Sequence, residues 1–200
     1  MHRLPAITTI AHWYLQNLLP KNAHVVDATC GNGHDSAIIA QLILPDGFLL
    51  AIDIQSEAVQ ATSNRISKTG ICPSRWTCTQ ADHRDLPNIL PPPLQSGLDA
   101  AVFNLGYLPG GPKIITTAHS SLAAIQKTLS LLKPSGFLVI TSYPGFPEGL
   151  AEHNTLAEWL HQRASVGHDL HHVVSEGRQL RPPELWILSN RKSPPADTDP

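Results

Sequence analysis

Between Ile7 and Leu19 the apolar residues fall at Ile7, Ile10, Ala11, Tyr14, Leu15, Leu18 and Leu19, the spacing of a helix with one apolar face. Pro20 ends it, because proline lacks a backbone donor and disfavours helix in the residue before it. The pattern then switches to short β-branched and aliphatic runs alternating with helical ones. His24 to Cys30 predicts a first strand that stops at Gly31-Asn32-Gly33, and Asp35 or Ser36 is placed to cap a helix through Leu44. Pro45-Asp46-Gly47 makes a turn, Phe48 to Asp53 a second buried strand, and Ser56-Glu57 opens a helix to about Lys68.

Further strands are expected at Arg75–Gln80, Leu98–Asn104 and Phe137–Ser142. Helices are expected at Ile114–Leu132, closed by Lys133-Pro134-Ser135-Gly136 with a cation at its negative end, and at Glu148–Arg163. Strands alternating with helices imply an α/β fold, a mostly parallel doubly wound sheet with helices on both faces. The last two candidates, Leu170–Ser175 and Glu184–Asn190, have no helix between them and predict an antiparallel hairpin at the sheet edge. Pro91-Pro92-Pro93 reads as a stiff surface loop. Residues 1–190 read as one domain, with the N-terminal helix within 1–20, and Arg191 to Pro200 as a disordered polar tail.

Composition narrows the class. Two hundred residues with 42% hydrophobic content suit one domain with a sizeable core. A formal net charge of −2 carries no overall basic signal for nucleic acid, although 11 histidines add cationic character below neutral pH. Cys30, Cys72 and Cys78 are too few and too irregularly spaced for a disulfide framework or a zinc site, and read as reduced thiols of a cytoplasmic protein. No apolar run reaches the roughly 20 residues that span a bilayer, and the N-terminus lacks a signal-peptide core.

Three features then converge. Asp27 ends the first strand, Gly31 and Gly33 form the turn after it, and Asp53 ends the second strand twenty positions beyond Gly33. Glycine lets backbone approach a ligand without a clashing Cβ, and an acid ending the second strand can accept from both ribose hydroxyls. A dinucleotide fold would place a third glycine where Ser36 stands, and Asp27 and Asp35 would repel a pyrophosphate. Those carboxylates suit S-adenosylmethionine (SAM), whose methionine end carries an ammonium and a sulfonium. The plain structural alternative is a tight strand-to-helix turn with no ligand. Asp82-His83, after the third strand, is placed to read an adenine amino group.

At the end of the fourth strand Asn104, uncharged and polar, precedes Leu105-Gly106-Tyr107-Leu108-Pro109-Gly110-Gly111. Its carboxamide oxygen could accept from an amine nucleophile and aim the lone pair at the sulfonium methyl, an in-line displacement in which positioning supplies much of the acceleration. Asn104 and Tyr107 are the candidate catalytic residues; the bland reading makes one a turn former and the other a packing aromatic.

The segments Asp27-Ala28-Thr29-Cys30-Gly31-Asn32-Gly33-His34-Asp35-Ser36 and Phe103–Gly111 resemble the "putative rRNA methylase" family, whose characterised members are YtqB/MnmM-type tRNA methyltransferases. The resemblance runs from the helix carrying His12 to Pro182-Pro183. It implies a class I SAM-methyltransferase fold with a seven-stranded sheet whose last strand is antiparallel. It also implies N-methylation of 5-aminomethyl-(2-thio)uridine at the tRNA wobble position, with S-adenosyl-L-homocysteine (SAH) as the second product. By matching position, Asp27, Gly31, Asn32, Gly33, Asp53 and His83 would hold the donor. Ala28, Thr29, Asp35, Ile54, Gln55 and Asp82 lie beside them, and Asn104, Leu105, Gly106 and Tyr107 would border the methyl. Where the family has Tyr-x-Gly-His-x-Gly-Gly after the fifth strand, this chain has Tyr143-Pro144-Gly145-Phe146-Pro147-Glu148-Gly149, so Phe146 stands in place of a histidine.

An RNA partner such as a tRNA anticodon arm requires cations against phosphate, and Lys113, Arg163, Arg178 and Arg181 are the candidates, with Phe146 and Tyr107 as stacking residues. His168, His171 and His172 resemble a metal cluster on paper, but strand alternation turns His171 and His172 to opposite faces and argues against a metal. Trp13, Trp76, Trp159 and Trp186 lie within regular elements and are expected in the core. The family makes a homodimer plausible. Methylation of rRNA or a small amine, or non-catalytic SAM or RNA binding, remain the alternatives on the same fold.

Overall fold

The computed structural model describes residues 4–106, 117–175 and 181–192. Within them the sheet strands are β1 (His24–Asp27), β2 (Phe48–Asp53), β3 (Trp76–Gln80), β4 (Leu98–Leu105), β5 (Leu132–Ser142), β6 (His168–Val173) and β7 (Glu184–Lys192). They form one sheet in the order β3-β2-β1-β4-β5-β7-β6. The first five pair in parallel, whereas β7 is antiparallel to both β5 and β6. The expected edge hairpin is present, with β7 as its inner arm. Chain order reverses at β1, which pairs with both β2 and β4, and such a switch opens a crevice beyond the carboxyl ends of the strands.

Strand alternation divides the interior into two cores. Val25, Leu49, Ala100, Val102, Val139 and Ile187 face α1 (Ile7–Leu18), α2 (His34–Leu42) and α3 (Ser56–Ser67), whose Ile7, Leu15, Ile39 and Ile66 complete that layer. Val26, Ile52, Phe103, Ile140 and Trp186 face the short α4 (Leu86–Ile89), α5 (Ala118–Leu131) and α6 (Pro147–Ser165), which contribute Leu86, Ile125, Leu156 and Trp159. Burial of these strands on both faces explains why they read as continuous apolar runs. Thr117 starts α5 with a capping box, its hydroxyl accepting from the Ser120 backbone N–H.

Several boundaries differ from those expected. β1 ends at Asp27, not Cys30, because the chain turns there into the glycine loop. Gly33, not Asp35 or Ser36, caps α2, and its φ of +75° is a left-handed conformation that glycine adopts without strain. β5 starts at Leu132: Leu132 pairs with Leu98, and a register shift before Ala100 and Phe137 accommodates Pro134 and Gly136. Lys133 does not serve the helix end; its Nζ reaches Asp99 Oδ2 at 2.7 Å, which also accepts from the His24 backbone N–H at 2.7 Å. β6 begins two residues early, at His168. β7 continues to Lys192, so the expected tail is strand at its first two residues, and 193–200 lie outside the described residues. The proline loop is anchored, since Pro92–Leu94 forms a 3₁₀ turn that buries Leu94 completely. Trp13 is 56% exposed rather than core, because the buried face of α1 is Ile7, Ala11 and Leu15.

Candidate functional site

The ends of β1, β2, β4 and β5 open into a cavity of about 1120 Å³. Because β7 runs antiparallel, its first residue lies opposite Ser142, the last of β5, which brings Arg181 and Pro183 to the same rim. This volume exceeds the ~300–1000 Å³ of an ordinary small-ligand pocket.

One half is built by the turns after β1, β2 and β3. Asp53 Oδ2 accepts from the Gly31 N–H and Oδ1 from the Gln55 N–H, each at 3.0 Å, so the carboxylate is fixed where it retains lone pairs for further donors. Thr62 of α3 supports the glycine loop from behind, donating to the Gly31 carbonyl at 3.0 Å. Gly33 fits against the same residue: a Cβ there would lie 2.6 Å from Thr62 Cα. Beyond β3, Asp82 is clasped by Arg84 Nη2 at 2.6 Å, and those hydrogen bonds hold its carboxyl at about 2. Next to it, burial lowers the His83 imidazole, which is therefore neutral at neutral pH. Its Nε2 is buried without a partner, as is Gln55 Oε1.

Buried polar atoms without partners cost a few kcal/mol unless a ligand satisfies them. Both orphans lie beside an acidic ribose-type site, and an adenosine, with amino and hydroxyl donors and ring-nitrogen acceptors, fits them. Exposed Ile54 at the rim supplies apolar surface for a base.

The other half centres on Asn104 at the end of β4. Its backbone N–H donates to Thr29 Oγ1 at 2.6 Å, and its Nδ2 donates to Asp35 Oδ2 at 2.5 Å. Asp35 Oδ1 meets His12 Nε2 of α1 at 2.6 Å. Burial alone would raise the Asp35 carboxyl, but the His12 hydrogen bond and charge, with Asn104, lower it below the ordinary range. Burial, then the Asp35 charge, raises the neighbouring Tyr143 phenol. Phe146 joins this wall, its ring lying where a Cβ on Gly149 would fall 2.7 Å from Cζ.

The structure brings together Ala28, Thr29, Gly31, Asn32, Asp35, Asp53, Ile54, Gln55, Asp82, His83, Asn104, Gly106, Phe146 and Arg181, as the sequence suggests. Three expected donor residues do not line the cavity. Asp27 is fully buried beneath it, taking hydrogen bonds from Ser36 Oγ and the Thr29 N–H, and burial pushes its pKa to about 7. The carboxylates at the mouth are therefore those of Asp35 and Asp53 rather than that of Asp27. Gly33 contacts α3, and Leu105 belongs to the core. Asp82 lines the cavity with its oxygens engaged by Arg84, which leaves His83 as the open group. Arg163 sits in the last turn of α6, ~24 Å along the helix from Pro147, with its guanidinium 5.6 Å from the Trp159 ring. Tyr107, Lys113 and Arg178 lie outside the described residues.

His12, Tyr143, Ser120 and Glu148 also line the cavity but were not assigned to it from the sequence. For Tyr143 the signal was its position directly after a parallel strand; for His12, twenty-three residues from Asp35, no local signal exists. The three histidines of the hairpin have separate partners: His168 meets Ser189 O, His171 Tyr14, and His172 Glu184. Among the described residues, no group of His, Cys, Asp or Glu has the arrangement of a metal site and no helix is long and apolar enough to cross a membrane.

Residues 49–188 match the model of the family described as "Putative rRNA methylase". The chain is 34% identical over 156 residues to a chloroplastic tRNA (mnm5s2U34)-methyltransferase of Arabidopsis thaliana, covering 72% of this chain and 55% of that protein. It is 32% identical over 108 residues to ribosomal RNA small subunit methyltransferase H of Syntrophus aciditrophicus, covering 54% of this chain and 30% of that protein. The chain thus spans about half or less of the length of these curated relatives. Among solved structures, an rRNA-methylase of Clostridium thermocellum superposes with a TM-score of 0.86 at 26% identity, covering 94% of this chain and 99% of that one. A Streptococcus mutans methyltransferase solved in complex with SAH superposes with a TM-score of 0.80 at 25% identity, over the same shares of the two chains. With the sheet order and the strand-end crevice described above, these matches place the chain in the "Putative rRNA methylase" family of methyltransferases, with the class I SAM-dependent fold.

Proposed function

We propose that this protein transfers the methyl group of SAM to the aminomethyl nitrogen of 5-aminomethyl-(2-thio)uridine at the tRNA wobble position, giving the methylaminomethyl form and SAH. Asp53 and the Gly31 loop would hold the ribose, and His83 and Gln55 the adenine. Bound there, SAM supplies an electrophilic methyl on a sulfonium. The observation that carries the acceptor assignment is Asn104, fixed at both its backbone and its amide nitrogen at the end of β4. Its carbonyl oxygen, without a partner among the described residues, suits an amine N–H. As the amine lone pair bonds to the methyl carbon, the carbon–sulfur bond breaks, its electrons pass to sulfur, and a proton leaves the nitrogen to solvent.

The Arabidopsis relative is named for the U34 reaction, which supports the wobble uridine as acceptor. Phe146 offers a stacking surface for an unpaired base and Arg181 a cation at the rim. Purified protein incubated with SAM and tRNA bearing 5-aminomethyluridine should yield the methylaminomethyl nucleoside by mass spectrometry. The similarity to an rRNA methyltransferase supports a second reading, and methylation of small-subunit rRNA with unchanged tRNA in that assay would select it.

A further inference from the structure

We propose that His12, Asp35 and Asn104 form a hydrogen-bonded relay in which His12 and Asp35 are positioning residues that keep the Asn104 carbonyl oxygen turned toward the acceptor amine. The proposal rests on the amine-methylation reading above. Three separate elements supply its members: His12 from α1, Asp35 from the first turn of α2, and Asn104 from the end of β4. All three line the cavity.

The directions of the hydrogen bonds follow from the charge of the middle member. Asp35 is held below the ordinary carboxyl range, so it is ionised and only accepts. His12 must therefore present Nε2–H to Oδ1, at 2.6 Å, and Asn104 must present Nδ2 to Oδ2, at 2.5 Å. A flipped carboxamide would set its own oxygen against a carboxylate oxygen at that separation. The unflipped one leaves Asn104 Oδ1 without a partner among the described residues. Because the Asn104 N–H is also tied to Thr29 Oγ1 at 2.6 Å, neither the backbone nor the amide plane is left to drift. His12 acts one step further out: with both carboxylate oxygens taken, Asp35 cannot rotate away from Asn104. This assigns to α1, which contributes no strand-end residue, a part in orienting the acceptor.

The test combines kinetics, binding and spectroscopy on full-length protein. Asp35→Asn is isosteric and can itself donate, so it permits the Asn104 flip. Its single-turnover rate on 5-aminomethyluridine tRNA should fall ~10–100-fold, with the KM for tRNA and the calorimetric Kd for SAH within about threefold of wild type. His12→Phe should lower the rate about tenfold, and His12→Gln, which keeps a donor for Asp35, should restore most of it. An unchanged rate in Asp35→Asn and His12→Phe overturns the relay. So does a loss of SAH affinity that accounts for the rate, which would make Asp35 a donor ligand instead. Wild-type protein that leaves this tRNA unmethylated overturns the acceptor reading separately. In that event nitrogen-15 spectra of His12 with SAH bound still decide: a protonated Nε2 lost in Asp35→Asn supports the relay, and an unprotonated Nε2 in wild type refutes it.

Discussion

Two aspartates nine residues or fewer from the same glycine loop have opposite fates, and only their surroundings separate them. Asp35 has a histidine and an amide to stabilise its charge; Asp27 has a hydroxyl, one backbone N–H and no exposure, and sits at about 7. Because that value lies above the ordinary 3.8, the native protein holds this proton more tightly than the unfolded chain does. Its contribution therefore favours the fold at low pH and is lost as pH rises from about 4 through about 7. Asp27→Asn keeps the uncharged form at every pH. In SAH-free protein its melting temperature should draw level with wild type near pH 4 and exceed it by ~5 °C at pH 8. At the same scale, Asp53→Ala removes both anchors of the ribose-facing turn and should weaken SAH binding at least ~100-fold by calorimetry. The acids themselves are evident in the sequence. Which of them faces the ligand is not, because strand length decides it and β1 is shorter than its β-branched run.

At the scale of elements, the loop between β1 and α2 depends on α3 behind it. Gly33→Ala would force a left-handed backbone on alanine and drive a Cβ into Thr62 at 2.6 Å. Strain and overpacking together cost about 3 kcal/mol, so the melting temperature should fall by ~6–12 °C in calorimetry. SAH affinity should fall with it, since Thr62 also holds the Gly31 carbonyl. The strands were legible because burial on both faces leaves unbroken aliphatic runs such as Phe48–Asp53 and Leu98–Leu105. The early start of β5 was not: Pro134 and Gly136 look like a stop locally, and only the register shift opposite Leu98 and Ala100 keeps them in the sheet. The exposure of Trp13 was hidden for a similar reason, because a helical position says nothing about which arc of the helix meets the sheet.

Across the whole molecule, a mostly parallel sheet covered on both faces was readable from strand and helix alternation, and so was the edge hairpin, whereas the strand order that reverses at β1 came only with the structure. What could not be read was the convergence of α1 on the site, a contact between segments with no shared local pattern. Ligand binding should report the integrity of this assembly. At a hundred times its Kd, SAH should stabilise the protein by ~2.7 kcal/mol, a rise of about 5–10 °C in melting temperature, while NAD at equal concentration should give none.

The sheet order also parcels the cavity by stretch of chain. The wall proposed to face adenosine is drawn from residues between Ala28 and His83, and most of the opposite wall from Asn104, Tyr143, Phe146 and Arg181, with His12 and Asp35 joining it from earlier in the chain. Mutations accumulating in the later stretch can therefore redirect the enzyme to another nucleophile while leaving the cosubstrate grip intact. Chimaeras joined within α4, between those stretches, offer a direct way to transplant one specificity onto another member's scaffold.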